Sequence, residues 1–504
     1  MRLAQVLQGV KIIRHAADLD VDITSVMYDS RQAGRGSLFI ALPGFKSDGH
    51  DYAAGALERG AAAIVTERWL AGLRASQVQV ENSRRALAQA AANFYGQPAR
   101  RLKVVGVTGT NGKTTTTFLL DSIFRAAGRK TGLVGGVENR TPAGVTRSKR
   151  TTPEAPDLQR LLAEMVEADF EFAVIEASSH GIELSRLDCV PFTAAVFTNL
   201  THDHLDLHQD MESYFQVKRR LFLPAPKNGV STCKGGQAPR AAVNMGDVHG
   251  RRLLDELGPG RVASFGSAAA AEVRAENLRG HAWDSRFELV TPAGSVPVSF
   301  HLPGRHNIDN ALAAAAAAHL LGLPLEAMAA GLASLRSVPG RFEPVDVGRQ
   351  YEVVVDYAHN EDGLERTLQT ARQFTSGKLI LVFGCPGERD CYKRPRMGKI
   401  AGSRADLSVL TTDDCYAEEP KRILDAAEQG LIQSGGRYLR IADRGAAIEA
   451  ALNAAAPGDL VLIAGKGHER TQIMASGPKP FNDAEEVKRI AIKQGERREP
   501  ESEI

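Results

Sequence analysis

The sequence predicts an α/β fold in three domains, and three observations carry that expectation. Short apolar runs alternate with helical stretches along most of the chain, which argues for mostly parallel sheets covered by helices on both faces. Breaks at Gly96-Gln97-Pro98 and Pro339-Gly340 divide the alternation into blocks. The length, 504 residues, exceeds what one hydrophobic core usually fills. The expected domains are a small α/β domain over 1–100, a central domain with a mostly parallel sheet over 101–338, and a Rossmann-like, doubly wound domain over 339–504.

In the first block, Tyr28-Asp29-Ser30-Arg31 precedes a strand at Ser37–Leu42, which Pro43-Gly44 turns. A helix rich in small residues over Tyr52–Arg59 and a strand at Ala62–Thr66 follow. In the second block, strands are expected at Lys103–Val107, Glu171–Glu176 and Thr193–Thr198, and helices at Thr114–Ala127, Ala155–Glu167 and Asp309–Leu321. Pro224–Arg240, rich in Lys, Gly and Pro, reads as a surface loop. In the third block, strands are expected at Tyr351–Asp356, Lys378–Phe383, Leu407–Thr411 and Asp459–Ala464, with helices such as Asp362–Phe374 and Arg444–Ala454 between them. The charged tail Glu496–Ile504 is expected to fray.

Composition narrows the function classes. With 62 basic and 60 acidic residues the net charge is +2, which gives no support to a nucleic-acid or membrane-surface role. No apolar segment approaches the ~18 residues that span a bilayer, and the N-terminus lacks a charged-then-apolar signal pattern. The five cysteines form no C-x-x-C pair, so a disulfide framework is not expected and a reducing cytoplasm is.

The most informative stretch is Lys103–Thr117, KVVGVTGTNGKTTTT. An apolar strand ends, Gly109-Thr110-Asn111-Gly112 form a loop, and Lys113-Thr114-Thr115 open a helix. Glycines admit an anion to backbone N–H groups, lysine supplies positive charge, and a threonine hydroxyl can ligate Mg²⁺. The spacing is not the ordinary one, because the first glycine of G-x-x-x-x-G-K-[ST] would fall at Val107 and the glycines sit at Gly106 and Gly109. The central domain is therefore read as a P-loop type ATPase unit.

Further clusters sit where strands are expected to end. Glu176 closes a strand expected beside the loop strand, where a carboxylate can take Mg²⁺. Asn199–His208 (NLTHDHLDLH) reads as a metal or phosphate site, with zinc disfavoured because no cysteine accompanies it. Asn307 and Asn310 lie one helical turn apart, so both amides can face a flat base; capping of the helix by Asn307 is the competing reading. In the third block Val355–His359, Phe383–Pro395, Thr411–Pro420 and Ala464–Glu469 all follow apolar strands, at the edge where open α/β sheets bind ligands.

Taken in order, these segments resemble the Mur ligase family over nearly the whole chain. The resemblance runs from Asp29-Ser30-Arg31 and Gly36–Pro43 through TGTNGKTT, EASSHG, TNLTHDHLD and GRHNIDN to Gly340-Arg341-Phe342-Glu343, DYAH and GKGHE. GERD-x-x-KRP, TDD-x-x-x-EEP and GKGHE point within the family to ligases that add the third residue of the peptidoglycan stem peptide. The resemblance implies that ATP phosphorylates a carboxylate of UDP-N-acetylmuramoyl-L-alanyl-D-glutamate and that an amine then attacks the acyl phosphate. It implies small-molecule substrates only, a monomer and a cytoplasmic location.

By the same resemblance Lys113 holds the β- and γ-phosphates. Thr114 and Glu176 ligate one Mg²⁺, and His204 meets a second. Lys218 matches the family lysine that carries a CO₂-derived carbamate. Tyr28, Ser30, Phe45, Lys46 and Ser47 would meet the nucleotide sugar, and Thr151, Thr152, Ser178 and Arg186 its peptide. Asn307, Asn310, Arg341 and Asp356 would surround the ATP nucleoside. Arg389, Gly465 and Glu469 would grip the incoming amino acid, Arg389 its α-carboxylate and Glu469 its ammonium.

Two departures bear on the acceptor. Asp414-Cys415-Tyr416-Ala417 stands where diaminopimelate-adding enzymes carry Asp-Asn-Pro-Arg, and alanine cannot replace the bidentate fork of an arginine. That favours L-lysine or L-ornithine, with meso-2,6-diaminopimelate as the alternative should Arg394 or Arg396 reach in. Cys391-Tyr392 and Cys415-Tyr416 are expected to line the side-chain pocket. Asn360-Glu361 also replaces the usual Thr-Pro after DYAH, altering a helix start. Two other readings stay open. One is a folylpolyglutamate synthetase-like ligase, which would lack the first-domain pattern. The other is a non-catalytic nucleotide-binding relative, against which the retention of Lys113, Glu176, His204 and Lys218 argues.

Overall fold

Apolar runs flanked by glycines and caps build five sheets among the residues described by the computed structural model, which are 1–44, 47–73, 77–203, 208–224, 238–281 and 284–496. The first sheet runs Ile12–His15, Gln77–Val80, Ala63–Thr66, Ser37–Ile40, Ser25–Met27. Only Ile12–His15 is antiparallel to its neighbour. Ser37–Ile40 and Ala63–Thr66 are buried along their whole length, as parallel strands covered on both faces must be.

The central sheet has eight strands in the order Val262–Phe265, Arg240–Asn244, Phe192–Phe197, Lys103–Thr108, Phe172–Glu176, Thr131–Val134, Glu138–Thr141, Gly144–Arg147. The first six are parallel and the last two fold back as an antiparallel meander. Lys103–Thr108 is central, and its register sets Glu176 opposite Val107 and Phe197 opposite Thr108. Glu176 and the chain after Phe197 therefore flank the loop that begins at Gly109. The helix Lys113–Ala126 packs beneath, with Phe124 stacked on Phe172 at 4.3 Å between ring centres.

The alanine-rich helix begins at Arg305, four residues before the expected start, and runs to Leu320. Gly304 provides the break, since its φ of +88° lies in the region that favours glycine. The alanines let this helix pack closely on Lys113–Ala126 in one core. That core also holds Phe287, Leu289, Val298 and Phe300 from a three-stranded antiparallel sheet, Arg274–His281, Asp284–Thr291 and Gly294–Phe300. No strand in this region was expected from the sequence.

The third sheet of the main body is Glu343–Pro344, Glu352–Asp356, Leu460–Ala464, Leu379–Phe383, Leu407–Leu410, Tyr438–Arg440. All pairs but the first are parallel. Register aligns Asp356 with Ala464 and Phe383 with Leu410, so the motif segments leave from one edge. A hairpin, Thr471–Met474 with Gly477–Pro480, lies beyond it. The helices Ala155–Glu167 and Arg444–Ala454 keep their expected bounds. Among the described residues no helix is long and apolar enough to cross a membrane. The expected loop Pro224–Arg240 and tail Glu496–Ile504 fall largely outside the described residues.

Candidate active site

The loop between Thr108 and Lys113 is shaped by two glycines that accept no side chain. Gly109 has φ +149°, and a Cβ there would stand 1.9 Å from Thr198 Oγ1; Gly112 has φ +87°, and a Cβ there would stand 2.3 Å from Asn310 Oδ1. The neighbouring strand end stitches the loop in place. Asn111 N donates to Asn199 Oδ1 at 2.9 Å, Thr110 N to the Asn199 carbonyl at 2.9 Å, and Thr198 Oγ1 to the Asn111 carbonyl at 2.6 Å. With Gly112 at the N-cap, the first amides of Lys113–Ala126 point toward the loop, a ready anion site.

Thr114 and Thr115 are buried behind the loop. Thr114 Oγ1 donates to Glu176 Oε2 at 3.1 Å, and Glu176 Oε1 accepts from Gly136 N at 2.8 Å. Burial raises the Glu176 carboxyl above its ordinary range, opposed by the Gly136 amide and Lys113. Two hard oxygen donors beside a phosphate loop fit Mg²⁺.

Lys218 and Lys113 converge on one carbonyl. Lys218 Nζ donates to the Gly109 oxygen at 2.8 Å and Lys113 Nζ donates to it at 3.0 Å and to the Thr110 oxygen at 2.8 Å. Lys218 is fully buried, 4.6 Å from the Tyr214 ring centre. Burial, then repulsion from Lys113, holds its ammonium well below the ordinary lysine range, with Asp203 opposing. Its amine is thereby biased to the neutral, nucleophilic form, which is the form that can take up CO₂. The sequence alone would have left Lys218 as one more lysine in the helix Met211–Arg219.

A polar network on the other side of Glu176 joins Thr152, Ser178 and Arg186. Thr152 Oγ1 donates to the Glu176 carbonyl at 2.7 Å and lies 2.8 Å from Ser178 Oγ, while Arg186 donates to the Thr152 carbonyl at 3.1 Å. Glu154 bridges Arg186 at 2.9 Å and Arg150 at 2.6 Å; neither Glu154 nor Arg150 was singled out from the sequence. Thr151 stands by Gly136, where a Cβ would lie 3.3 Å from its hydroxyl. From the first domain, Tyr28 donates its hydroxyl to Asp157 Oδ2 at 2.8 Å. Ser30 opens a short 3₁₀ turn capped by Asp29, and Ser47 is exposed. Phe45, Lys46 and His204 lie outside the described residues.

Across the loop stands the C-terminal sheet edge, and between them lies a cavity of about 350 Å³. Asn111, Gly112, Thr114 and Thr115 form one wall and Arg341, Asp356, Tyr357 and His359 face them, with Asn307 and Asn310 between. Arg341 donates to Thr114 Oγ1 at 3.1 Å and lies 4.8 Å from the Tyr357 ring centre. Asp356 accepts from Phe342 N at 2.7 Å and Ala358 N at 2.8 Å. Asn307 does not cap its helix; it donates to the Pro303 carbonyl at 2.7 Å and accepts from Asn310 at 3.0 Å. The two amides are thus locked together on the cavity wall. Two cross-links were not legible in the sequence: Asn111 donates to Asp362 at 2.7 Å, and Asn360 donates to Asp203 at 3.0 Å while capping its own helix at Gly363. The departure at Asn360 is thus a working cap.

The expected acceptor residues gather at the same edge, except for the cysteine–tyrosine pairs. Gly465 has φ +114°, and a Cβ there would stand 2.7 Å from Asp413 Oδ2. Asp414 accepts from Lys466 at 2.8 Å and from Ile473 N at 2.8 Å, and Glu469 accepts from Lys466 at 2.7 Å. Arg389 is exposed, 5.6 Å from the Tyr416 ring centre. Ala417 N donates to Glu388 at 3.0 Å. Cys415, expected on the pocket wall, is buried in the apolar core instead, and burial lifts its thiol to about 11. The cause is Tyr416 at φ +51°, which turns the chain so that consecutive side chains part company. Cys391 and Tyr392 also fail to close a pocket wall: both are exposed, Tyr392 at 77%. Arg394 is committed to Glu418 through two bonds at 2.7 and 2.8 Å, and the exposed Arg396 pairs with Glu361 at 3.3 Å.

Comparison with known proteins matches this geometry to a family along the chain. Residues 22–95 match the Mur ligase family, catalytic domain; residues 107–318 the Mur ligase middle domain; and residues 340–467 the Mur ligase, glutamate ligase domain. The chain is similar to UDP-N-acetylmuramoyl-L-alanyl-D-glutamate–2,6-diaminopimelate ligases. It is 39% identical over 499 residues to that of Alkaliphilus metalliredigens, covering 98% of both chains. It is 40% identical over 493 residues to that of Bacillus licheniformis, covering 98% of this chain and 99% of the relative. A solved structure of a ligase of that name superposes with a TM-score of 0.64 at 30% identity over 98% of this chain and 99% of the other. The Thermotoga maritima MurF ligase in complex with ADP shares the fold at TM-score 0.64 and 20% identity, over 94% of this chain and 98% of the other. With three domain models in order and relatives near 40% identity over almost its whole length, the chain belongs to the Mur ligase family.

Proposed function

We propose that the chain joins a diamino acid to UDP-N-acetylmuramoyl-L-alanyl-D-glutamate at the expense of ATP, with meso-2,6-diaminopimelate as the acceptor. The observation that carries this reading is the cavity between the phosphate loop and the C-terminal sheet edge, in a chain aligned end to end with ligases of that name. As a member of this family it is an ATP-dependent, ADP-forming peptide ligase. The domain divisions near 100 and 338 then separate nucleotide-sugar, ATP and acceptor functions.

A substrate carboxylate oxygen attacks the γ-phosphorus, the bond to the β–γ bridging oxygen breaks, and ADP leaves. The acceptor amine then attacks the acyl carbon, a proton is lost, and inorganic phosphate departs. Catalysis of this kind is largely positioning and charge neutralisation. Lys113 and the loop amides take the phosphates, and Arg341 adds a guanidinium from the opposite wall. Asn307, Asn310 and Asp356 hold the nucleoside. Thr114 and Glu176 would hold Mg²⁺, which would neutralise the charge of the transferring phosphoryl group. Carbamylated Lys218 and His204 would serve a second ion. Thr151, Thr152, Ser178 and Arg186 orient the peptide, and Tyr28, Ser30, Phe45, Lys46 and Ser47 the nucleotide sugar. Arg389, Gly465, Glu469 and the segment Asp414–Ala417 receive the amino acid. A cytoplasmic monomer fits this role.

The acceptor changes from the lysine or ornithine expected from Asp414–Ala417. That expectation rested on one missing arginine, whereas relatives near 40% identity across the whole chain are named for diaminopimelate. Arg389 supplies a guanidinium over Tyr416 at the same edge. Phosphate release from ATP with the UDP-dipeptide and each diamino acid tests this. Diaminopimelate should exceed lysine and ornithine in kcat/KM by about 10²-fold or more, as expected when a site that binds a second carboxylate meets an acceptor without one. Preference for lysine or ornithine would reinstate the pocket argument, and no release with any acceptor would remove the ligase reading.

A further inference from the structure

A cluster of buried charge outside the phosphate loop lies at the carboxyl ends of Leu407–Leu410 and Leu460–Ala464. Lys466 has no exposed surface. Its ammonium stands 2.7 Å from Glu469 Oε2, 2.8 Å from Asp414 Oδ1 and 3.6 Å from Asp413 Oδ1. The three carboxylates lie within 4.8 Å of one another, the spacing that could hold a metal ion. The chain's own ammonium already supplies the cation there. Three carboxylates against one ammonium leave the cluster anionic.

Its members are not equivalent. Glu469 reaches outward with its side chain 31% exposed, whereas Asp413 and Asp414 are buried. Glu469 is held on both oxygens, Oε2 by Lys466 and Oε1 by the Tyr357 hydroxyl at 3.2 Å. Tyr357 itself lines the nucleotide cavity, so one hydrogen bond ties this carboxylate to the cavity wall. Asp414 is fixed through one oxygen, Oδ1, which accepts from both Lys466 and Ile473 N of the hairpin.

We propose that Lys466 is a positioning residue that holds Glu469 and Asp414 as a fixed anionic edge on which an ammonium group of the acceptor docks. This rests on the ligase reading above. Lys466 acts through the carboxylates and does not touch the acceptor. Burial raises the Glu469 carboxyl, and Lys466 is the foremost influence lowering it again, so removal of the ammonium favours a protonated, unanchored Glu469. Charge-assisted bonds to a desolvated carboxylate are the strong ones, and a protonated acid forfeits them.

Steady-state kinetics of Lys466→Met, Lys466→Arg, Glu469→Gln and the Lys466→Met/Glu469→Gln double variant test this. Lys466→Met should raise KM for the diamino acid about 30-fold or more, while KM for ATP and the UDP-dipeptide stays within about 3-fold. The double variant should lose clearly less than the product of the two single losses, because the changes share the Lys466–Glu469 contact while only Lys466→Met also releases Asp414. Lys466→Arg should recover much of the loss. A parallel rise of all three KM values, an unmoved diamino-acid KM, or losses that multiply in the double variant would overturn the proposal. Should Lys466→Met fail to fold, the comparison of Lys466→Arg with Glu469→Gln decides: equal losses overturn it, and a near-normal KM in the arginine variant supports it. The wild type separates the two claims. Absence of acceptor-dependent phosphate release from it overturns the ligase reading and this proposal together. A normal wild type with unselective variants overturns this proposal alone.

Discussion

Lys218→Ala is expected to lower kcat by about 10²–10³-fold, the scale set by loss of one preorganised charged group at a phosphoryl-transfer centre, and a short carboxylate such as formate should restore part of it. The side chain is buried beside Lys113, and both reach the Gly109 carbonyl. Two ammonium groups so placed repel each other, and burial adds to the cost of the second charge. As a carbamate, the same side chain would present an anion to Lys113 and the loop. If Lys218 merely braced the loop through its hydrogen bond, alanine would impair activity but added carboxylate would not restore it. Unaltered activity would remove both accounts. Thermal unfolding of the variant keeps folding and catalysis separate in this comparison.

Arg444→Met is expected to lower the thermal midpoint by on the order of 10 °C, from a cost of about 3–5 kcal/mol for stranding a buried partner. Arg444 and Asp483 are both fully buried and joined by two bonds of 2.7 Å. The same guanidinium donates to the Ala464 carbonyl at 3.0 Å, directly before Gly465. It therefore ties the last helix, Asp483–Glu496, to the strand end that carries the acceptor motif. Methionine leaves the buried Asp483 side chain without its two bonds to Arg444. The double variant Arg444→Met/Asp483→Leu should regain most of the loss, because replacing a buried ion pair by apolar groups is often neutral. A midpoint unchanged by the single variant would show that the pair carries no net stability. Acceptor KM should also rise in the single variant, since the support of Gly465 is lost.

The contrast between what was legible and what was not follows the range of the interactions. The phosphate loop was readable because its chemistry is local: Gly109, Gly112, Lys113 and Thr114 are neighbours in sequence, and the positive φ values explain the glycines. The parallel strands were readable because burial on both faces leaves unbroken apolar runs such as Leu379–Phe383. The meander Arg274–Phe300 was missed because one face is exposed and few residues enter the core, so its pattern is mostly polar. The long-range partners were also out of reach. Lys466 meets Asp414 across 52 positions and Asn111 meets Asp362 across 251, distances that only the fold closes. At Cys415 the local reading failed for a conformational reason, since no spacing rule anticipates a tyrosine at φ +51°. Lys218 is intermediate: resemblance named it, and its burial beside Lys113 is what the structure adds.

The central step of the proposed reaction is transfer of phosphoryl from ATP to a substrate carboxylate. The measurement is turnover with UDP-N-acetylmuramoyl-L-alanyl-D-glutamate bearing ¹⁸O in its terminal carboxylate, followed by mass analysis of the released phosphate. Attack by that carboxylate on ATP and later expulsion of phosphate by the amine should carry one ¹⁸O into each inorganic phosphate, in step with peptide-bond formation. Phosphate released without ¹⁸O while product accumulates would contradict the acyl-phosphate route and the arrangement of Lys113, Glu176 and Lys218 proposed to support it.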